Sequence, residues 1–175
     1  MESVVEMLES NQRTVPEWLP MLLGVKATSD QLPKLALQCF LLPINGVTSQ
    51  IQTYNVLAEA IRILQQTDNL DEDNKQQWFE IGNAAIQGLS DYYTNHPITR
   101  TMQGILYHYG GDKVRSCATL AKVLNSRCFG LWRSVARFYL AQFYTDKNNT
   151  KKLDLLFQSA DKNDLLFNYT KSLFG

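Results

Sequence analysis

Apolar residues recur at spacings of three and four along nearly the whole chain, the pattern of one buried face on an amphipathic helix. The longest run predicts a helix from about Thr48 to Gln66, in which Leu57, Ile61 and Leu64 share a face. No segment sustains the alternation of apolar and polar residues that is typical of a half-buried strand. The pattern therefore predicts an all-α protein.

Prolines, glycines and polar runs divide this pattern into about nine or ten helices. An acidic segment over 67–74 is expected to open a helix that carries Trp78 and ends near Asn95, and Pro97 to open the next. Gly110-Gly111 is a strong stop signal, because glycine adopts the left-handed conformation without a steric penalty. Further helices are expected over Asp112–Asn125, Leu131–Tyr144, Leu153–Ala160 and Leu165–Leu173.

In the N-terminal part, prolines are expected to keep the helices short. Pro20 should bend or end a first helix that contains Trp18 and Leu22. Ser29-Asp30 should open the next helix, and Pro43 should close it.

With 175 residues, the chain fits a single all-α domain over residues 1–175. Antiparallel helix pairs would form either an α-solenoid or an irregular helical bundle. The chain has no long polar tails, which is compatible with a fragment of a longer helical-repeat protein.

Two segments in the C-terminal half fall into register at an offset of 37 residues. Gly104–Tyr107 overlies Ala141–Tyr144, a polar turn follows in each copy, and an apolar helix follows the turn. In that helix Leu120 overlies Phe157. The register predicts a weak internal repeat of helical hairpins.

The second copy resembles the tetratricopeptide repeat, in which small and aromatic residues lie on the facing sides of two antiparallel helices. The residues that carry the resemblance are Leu140, Ala141, Tyr144, Phe157 and Ala160. Arg137 stands where the family has Trp, Leu153 stands where it has a small residue, and the closing Pro is absent, so a generic hairpin array is the alternative. The resemblance covers about residues 100–161 and implies stacked helix pairs with elongated grooves for peptides or helices.

The formal net charge of zero hides a strong asymmetry along the chain. Residues 1–95 carry twelve acids against five bases, and residues 96–175 carry twelve bases against five acids. Between Lys113 and Arg137 there are six bases and no acid, with Phe129 and Trp132 interleaved. This basic band could present phosphate-binding cations and stacking aromatics, or it could be the solvated sides of two helices with the aromatics in the core.

Four bases of the band are the candidate binding residues: Arg115, Lys122, Arg133 and Arg137. On helical spacing Arg115 and Lys122 share a face two turns apart, and Arg133 and Arg137 share another. No acid within the band lies one helical turn away to neutralise them. The expected partner is an acidic protein, with RNA or DNA as the alternative and with self-association of the oppositely charged halves as a further one.

No catalytic, nucleotide or metal motif is present. The two histidines, His96 and His108, lack Cys, Asp or Glu at metal-ligand spacing, and a structural role for His108 is favoured over a general base. Asp71–Asp73 is an acidic cluster without the Gly and the terminal Glu of a calcium loop. We expect no cofactor, no metal and no enzymatic activity.

The remaining sequence features concern the compartment. Cys39, Cys117 and Cys128 are too few and too scattered for a disulfide framework, the N-terminus is acidic, and no apolar run approaches the length of a membrane span. An intracellular protein, cytoplasmic or nuclear, without membrane association is expected. The favoured function is a non-enzymatic interaction module or scaffold that binds a partner peptide or helix through a helical-repeat surface.

Overall fold

The computed structural model describes residues 18–30, 32, 35–36, 38–39, 50–66, 71–89, 91–126, 130–161 and 164–175. All regular structure within these ranges is helical, which confirms the all-α prediction. Among the same residues, no helix combines the length and the apolar character that a bilayer crossing requires. The helices are α1 Trp18–Ser29, α2 Gln50–Gln66, α3 Glu72–Gln87, α4 Asp91–Thr94, α5 Pro97–Tyr109, α6 Lys113–Leu124, α7 Leu131–Asp146, α8 Thr150–Gln158 and α9 Phe167–Phe174.

The chain divides into two compact units, residues 1–90 and residues 91–175. This boundary lies five residues before Asn95, the last residue of the acidic part of the sequence. The first unit carries eleven acids against five bases, a net of −6, and the second carries twelve bases against six acids, a net of +6. Each unit therefore has one predominant sign of charge, and the prediction of one domain over residues 1–175 stays a prediction.

In the first unit, α1 runs through Pro20 to Ser29, so the expectation that Pro20 ends the helix is wrong. Pro20 is the third residue of the described helix, and its fixed φ of about −65° is compatible with helical geometry. Ser29 is the last residue of α1 instead of the first of the next helix. Beyond it, Ala36 and Cys39 are buried, as their apolar spacing suggests.

Helices α2 and α3 form a packed pair in the first unit. The Asp71 carboxylate accepts a hydrogen bond from the Asn74 N–H at 2.8 Å and caps α3, so the acidic segment does open a helix. However, α3 ends at Gln87, with Gly88 at its C-cap, and the short α4 follows. The prediction of one helix reaching Asn95 is wrong: α3 ends at Gln87, and the N–H of the C-cap residue Gly88 bonds back to the Ala84 carbonyl.

The second unit is built around α7. Helices α5 and α6 pack as a hairpin, α7 packs against both of them, and α8 and α9 pack on α7. The core contains the fully buried Leu106, Leu120, Val123 and Leu140. A Cβ added at Gly104 would lie 2.6 Å from the Leu120 side chain, so the glycine permits the close approach of α5 and α6.

The predicted helices of the second unit are confirmed with shifted ends. α5 ends at Gly110-Gly111 as expected, whereas α7 extends two residues beyond Tyr144. α8 begins at Thr150, earlier than Leu153, because the Asn149 side chain accepts a hydrogen bond from the Lys152 N–H at 3.1 Å and caps it.

Candidate functional site

The two hairpin turns of the second unit have the same backbone conformation at the predicted offset of 37 residues. Gly110 and Lys147 adopt φ −76° and −93° with ψ 3° in both. The next residues, Gly111 and Asn148, both have positive φ, at 89° and 51°. Glycine and asparagine are the residues that most readily adopt this left-handed region. The turns are therefore equivalent residue by residue.

The equivalence extends to the helices that follow the turns. Asp112 caps α6 with φ −86° and ψ 70°, and Asn149 caps α8 with φ −94° and ψ 69°. Their side chains accept hydrogen bonds from the N–H groups of Arg115 and Lys152, which are also 37 residues apart. Both second helices thus begin with a capped turn and a base at the same position.

Two of the predicted binding residues lie on the exposed side of α6. The Arg115 side chain is 71% exposed and its Nε lies 3.2 Å from Asp112 Oδ2. Lys122 is exposed and forms no ion pair with any residue of the described ranges. Val114, which is 74% exposed, and the exposed Ala118 lie on the same side. The structure therefore places Arg115 and Lys122 on one accessible face, as their spacing predicts.

Arg137 is buried, and the expectation of a solvated side chain is wrong. Its guanidinium forms an ion pair with Asp164, and each of the two side chains is only 3% exposed. Its Nε and Nη2 donate to the carbonyl oxygens of Leu156 and Ser159, both at 3.3 Å. The physical reason is that α8 and the segment before α9 cover this side of α7. The charge of Arg137 is used within the fold.

The exposure of Arg133 is intermediate between that of Arg115 and Lys122 and that of the buried Arg137. Arg133 is half-buried, and its Nε is a buried donor without a hydrogen-bond partner in the described part of the chain. The structure thus separates the four predicted residues into an exposed pair on α6 and two residues of α7 that face inward to different degrees. The binding roles of Arg115, Lys122 and Arg133 stay predictions.

Acids that flank the basic band in sequence neutralise part of it. Lys113 Nζ lies 2.9 Å from Asp146 Oδ2, between the start of α6 and the end of α7. Together with Arg115–Asp112 and Arg137–Asp164, this pairs three of the six bases. Trp132 is half-buried, and Arg127 and Phe129 lie outside the described residues. The described part of the band is therefore not a continuous basic face with exposed aromatics.

His108 lies in a cluster of aromatic rings at the end of α5. Its ring makes edge contacts with the Tyr109 ring at 4.9 Å and the Tyr139 ring at 5.3 Å between centroids. Burial lowers the pKa of His108, the charge of Lys113 lowers it further, and Asp146 acts in the opposite direction. Because Asp146 already pairs with Lys113, this environment favours a neutral, packed imidazole.

A small cavity of about 100 Å³ lies in the first unit. Its lining is mainly apolar and includes Leu23, Ala27, Leu32, Leu35 and Cys39. Burial raises the pKa of the Cys39 thiol, which disfavours the reactive thiolate. Within the described ranges, no group of three or more His, Cys, Asp or Glu residues is arranged to hold a metal ion.

Part of the exposed surface lies on α8, outside the predicted binding residues. Lys151 and Lys152 are exposed in its first turn, and Leu155 is 55% exposed one turn later. The repeat register contained the signal, because the offset of 37 maps Arg115 onto Lys152 and Ala118 onto Leu155. Only the α6 face, however, has a second base two turns further on.

Models of known protein families, curated proteins and solved structures give no match to this chain.

Proposed function

We propose that this chain is a non-enzymatic protein-interaction module in which stacked helical hairpins present a binding surface. The support comes from the second unit, where α7 packs against both helices of the preceding hairpin and the two hairpin turns are equivalent. Stacked units of this kind bury their apolar faces on their neighbours and leave extended faces for partners. We further propose that the hairpins are repeat units of tetratricopeptide type.

The single observation that carries the proposal is the accessible face of α6. Arg115 and Lys122 are exposed on it, in a unit whose net charge is +6. A surface of this sign favours an acidic protein segment as the partner, because complementary charge accelerates encounter and disfavours basic competitors. The opposite net charge of the first unit also makes a second copy of the chain a candidate partner.

Nucleic-acid binding through residues 113–137 is the second candidate function. The excess of bases in the second unit favours it, since phosphate contacts dominate nucleic-acid affinity. Two features of the described residues weigh against it. Arg137 is buried in an ion pair, and Trp132 is half-buried and so poorly placed to stack on a base.

The proposal includes an intracellular setting, the cytoplasm or the nucleus. Cys39 and Cys117 are both free thiols, as expected for a reducing compartment. Cys39 is buried, and the Cys117 thiol donates to the Tyr144 hydroxyl at 3.9 Å. Structural thiols fit an interaction module better than a redox enzyme.

Affinity capture from the native cell tests the module. The full chain and the variant Arg115→Glu/Lys122→Glu serve as parallel baits, each with and without nuclease treatment of the lysate. Proteins that the wild type retains in both lysates would support an interaction module, and those that the variant loses would assign the binding surface to α6. If the wild type retains material only in the lysate without nuclease, the ligand is nucleic acid. If the wild type retains neither protein nor nucleic acid, both candidate functions are refuted.

A further inference from the structure

The outward face of α6 has a definite composition. Ser116, Leu120 and Val123 are buried on the side of α6 that faces the core, so the opposite side of the helix faces solvent. The exposed residues on that opposite side are Val114, Arg115, Ala118 and Lys122. No acidic residue occurs between Lys113 and Leu124.

The spacing of these residues matches another helix. Arg115 and Lys122 are seven residues apart, which places their backbones about 10.5 Å apart along the helix axis. Val114 and Ala118 lie four residues apart and form an apolar strip beside the two bases. Ala118 is small, so a second backbone can approach α6 closely at this point.

We propose that this face of α6 binds an acidic amphipathic helix of a partner protein. Two carboxylates spaced seven residues apart on the partner would face Arg115 and Lys122, and an apolar side chain between them would pack on Val114 and Ala118. This inference rests on the proposed function and names the partner class for the same surface.

Charge and apolar exposure together select this partner over a plain polyanion. The bases would attract any acidic chain, but a phosphate backbone or an extended acidic peptide would leave the exposed Val114 without an apolar contact. An amphipathic helix satisfies both features at once.

The existing contact of Arg115 does not block the site. Its ion pair with Asp112 is exposed, and surface pairs of this type contribute little to stability. The guanidinium can therefore turn to a partner carboxylate at small cost. Lys122 has no competing ion pair among the described residues.

The equivalent face of α8 supplies a matched control. Lys152 corresponds to Arg115 and Leu155 to Ala118, but Ser159 stands where α6 has Lys122. The variants Arg115→Glu/Lys122→Glu and Lys151→Glu/Lys152→Glu change the net charge by the same amount at two exposed sites. A difference between them therefore reports the site and not the total charge.

The test measures binding of labelled synthetic helices to the full chain by fluorescence anisotropy. One peptide carries Glu at two positions seven apart with Leu between them, a second is a scrambled isomer, and a third has Lys in place of the two Glu. We expect the acidic helix to bind the wild type, to lose affinity by about tenfold or more with Arg115→Glu/Lys122→Glu, and to change by less than about twofold with Lys151→Glu/Lys152→Glu. The Lys helix should bind the Arg115→Glu/Lys122→Glu variant better than the wild type, and circular dichroism should show that both variants are folded.

Several results would overturn the inference. Equal losses in the two variants, or equal binding of the scrambled peptide, would show that net charge alone attracts the helix. Tighter binding of labelled RNA or duplex DNA than of the acidic helix, lost with Arg115→Glu/Lys122→Glu, would assign the face to nucleic acid. If the capture experiment yields protein partners that this variant also retains, the module proposal stands and the α6 assignment fails.

Discussion

Arg137 of α7 and Asp164, which precedes α9, form an ion pair that is almost completely shielded from solvent. The same guanidinium donates to the Leu156 and Ser159 carbonyls at the end of α8. Asp164 Oδ1 in turn accepts from the Leu166 N–H at 3.1 Å. One arginine therefore joins α7 to the end of α8 and to the segment that leads into α9.

Breaking this pair from one side should be strongly destabilising. Asp164→Leu leaves the Arg137 guanidinium buried without its counter-charge, and we expect the free energy of unfolding to fall by about 3–5 kcal/mol. Urea denaturation followed by circular dichroism measures it. The double variant Arg137→Met/Asp164→Leu removes both charges and should recover most of the loss.

An exposed ion pair supplies the comparison for that experiment. Arg115→Met removes the contact with Asp112 at the surface, and it should change the stability by less than about 0.5 kcal/mol. If Asp164→Leu lowered the free energy of unfolding as little as Arg115→Met, the interpretation of Arg137–Asp164 as a buried ion pair that stabilises the second unit would be wrong.

Arg137 also shows where prediction from sequence reaches its limit. Helical spacing indicates that Arg133 and Arg137 share a side of α7, but it does not indicate what covers that side. The covering groups, Leu156, Ser159 and Asp164, come nineteen to twenty-seven residues later. The exposure of a helix face depends on such distant contacts, whereas the helix itself depends on local spacing.

Features that depend on residues close in sequence were predicted correctly. The Gly110-Gly111 stop and the offset of 37 identified both hairpin turns, because glycine and asparagine at positive φ end helices in a recognisable way. The α6 face was predictable for the same reason, since Arg115 and Lys122 lie on one helix. The expected end of α3 failed because the apolar spacing continued to Leu89, which is buried although it lies beyond the helix.

The equivalence of the two turns can be tested at Gly111. A Cβ at this position would meet no atom within 4 Å, so a substitution acts only through the backbone, at φ 89°. We expect Gly111→Val to cost about 1–3 kcal/mol, because β-branched residues tolerate positive φ poorly. Gly111→Asn should cost clearly less, since Asn148 already has positive φ in the equivalent turn.

Thermal unfolding of Gly111→Val and Gly111→Asn, compared with the wild type, measures the two losses of stability. Equal destabilisation by valine and asparagine would show that the first turn does not need the conformation that Asn148 adopts in the second.

The buried His108 predicts a pH dependence of stability. Its pKa is lowered in the folded protein, first by burial and then by Lys113, so below about pH 6.5 the unfolded chain binds a proton that the folded chain resists. The free energy of unfolding should therefore fall as the pH drops below this value and be fully retained above it. His108→Phe keeps an aromatic ring between Tyr109 and Tyr139 and removes the titration.

Urea midpoints of the wild type and His108→Phe, measured from neutral to mildly acidic pH, isolate this contribution. The difference between the two proteins should change as the pH falls. A constant difference would mean that His108 does not titrate differently on folding.

Asp112 links the capping of α6 to the proposed contact with a partner helix. Asp112 has two roles, because its side chain caps α6 through the Arg115 N–H and also pairs with the Arg115 guanidinium. Asp112→Asn should keep the cap, since asparagine caps as well as aspartate and Asn149 does so in α8. It should also release Arg115 from its carboxylate and raise the affinity for an acidic helix by about twofold to fivefold, the range expected for one surface charge. The exposed Asp154 of α8 offers the control, because Asp154→Asn removes the same charge away from the α6 face. Anisotropy titrations of the two variants decide the matter: a gain confined to Asp112→Asn supports direct contact of Arg115 with the partner, and an equal gain in both attributes the effect to net charge.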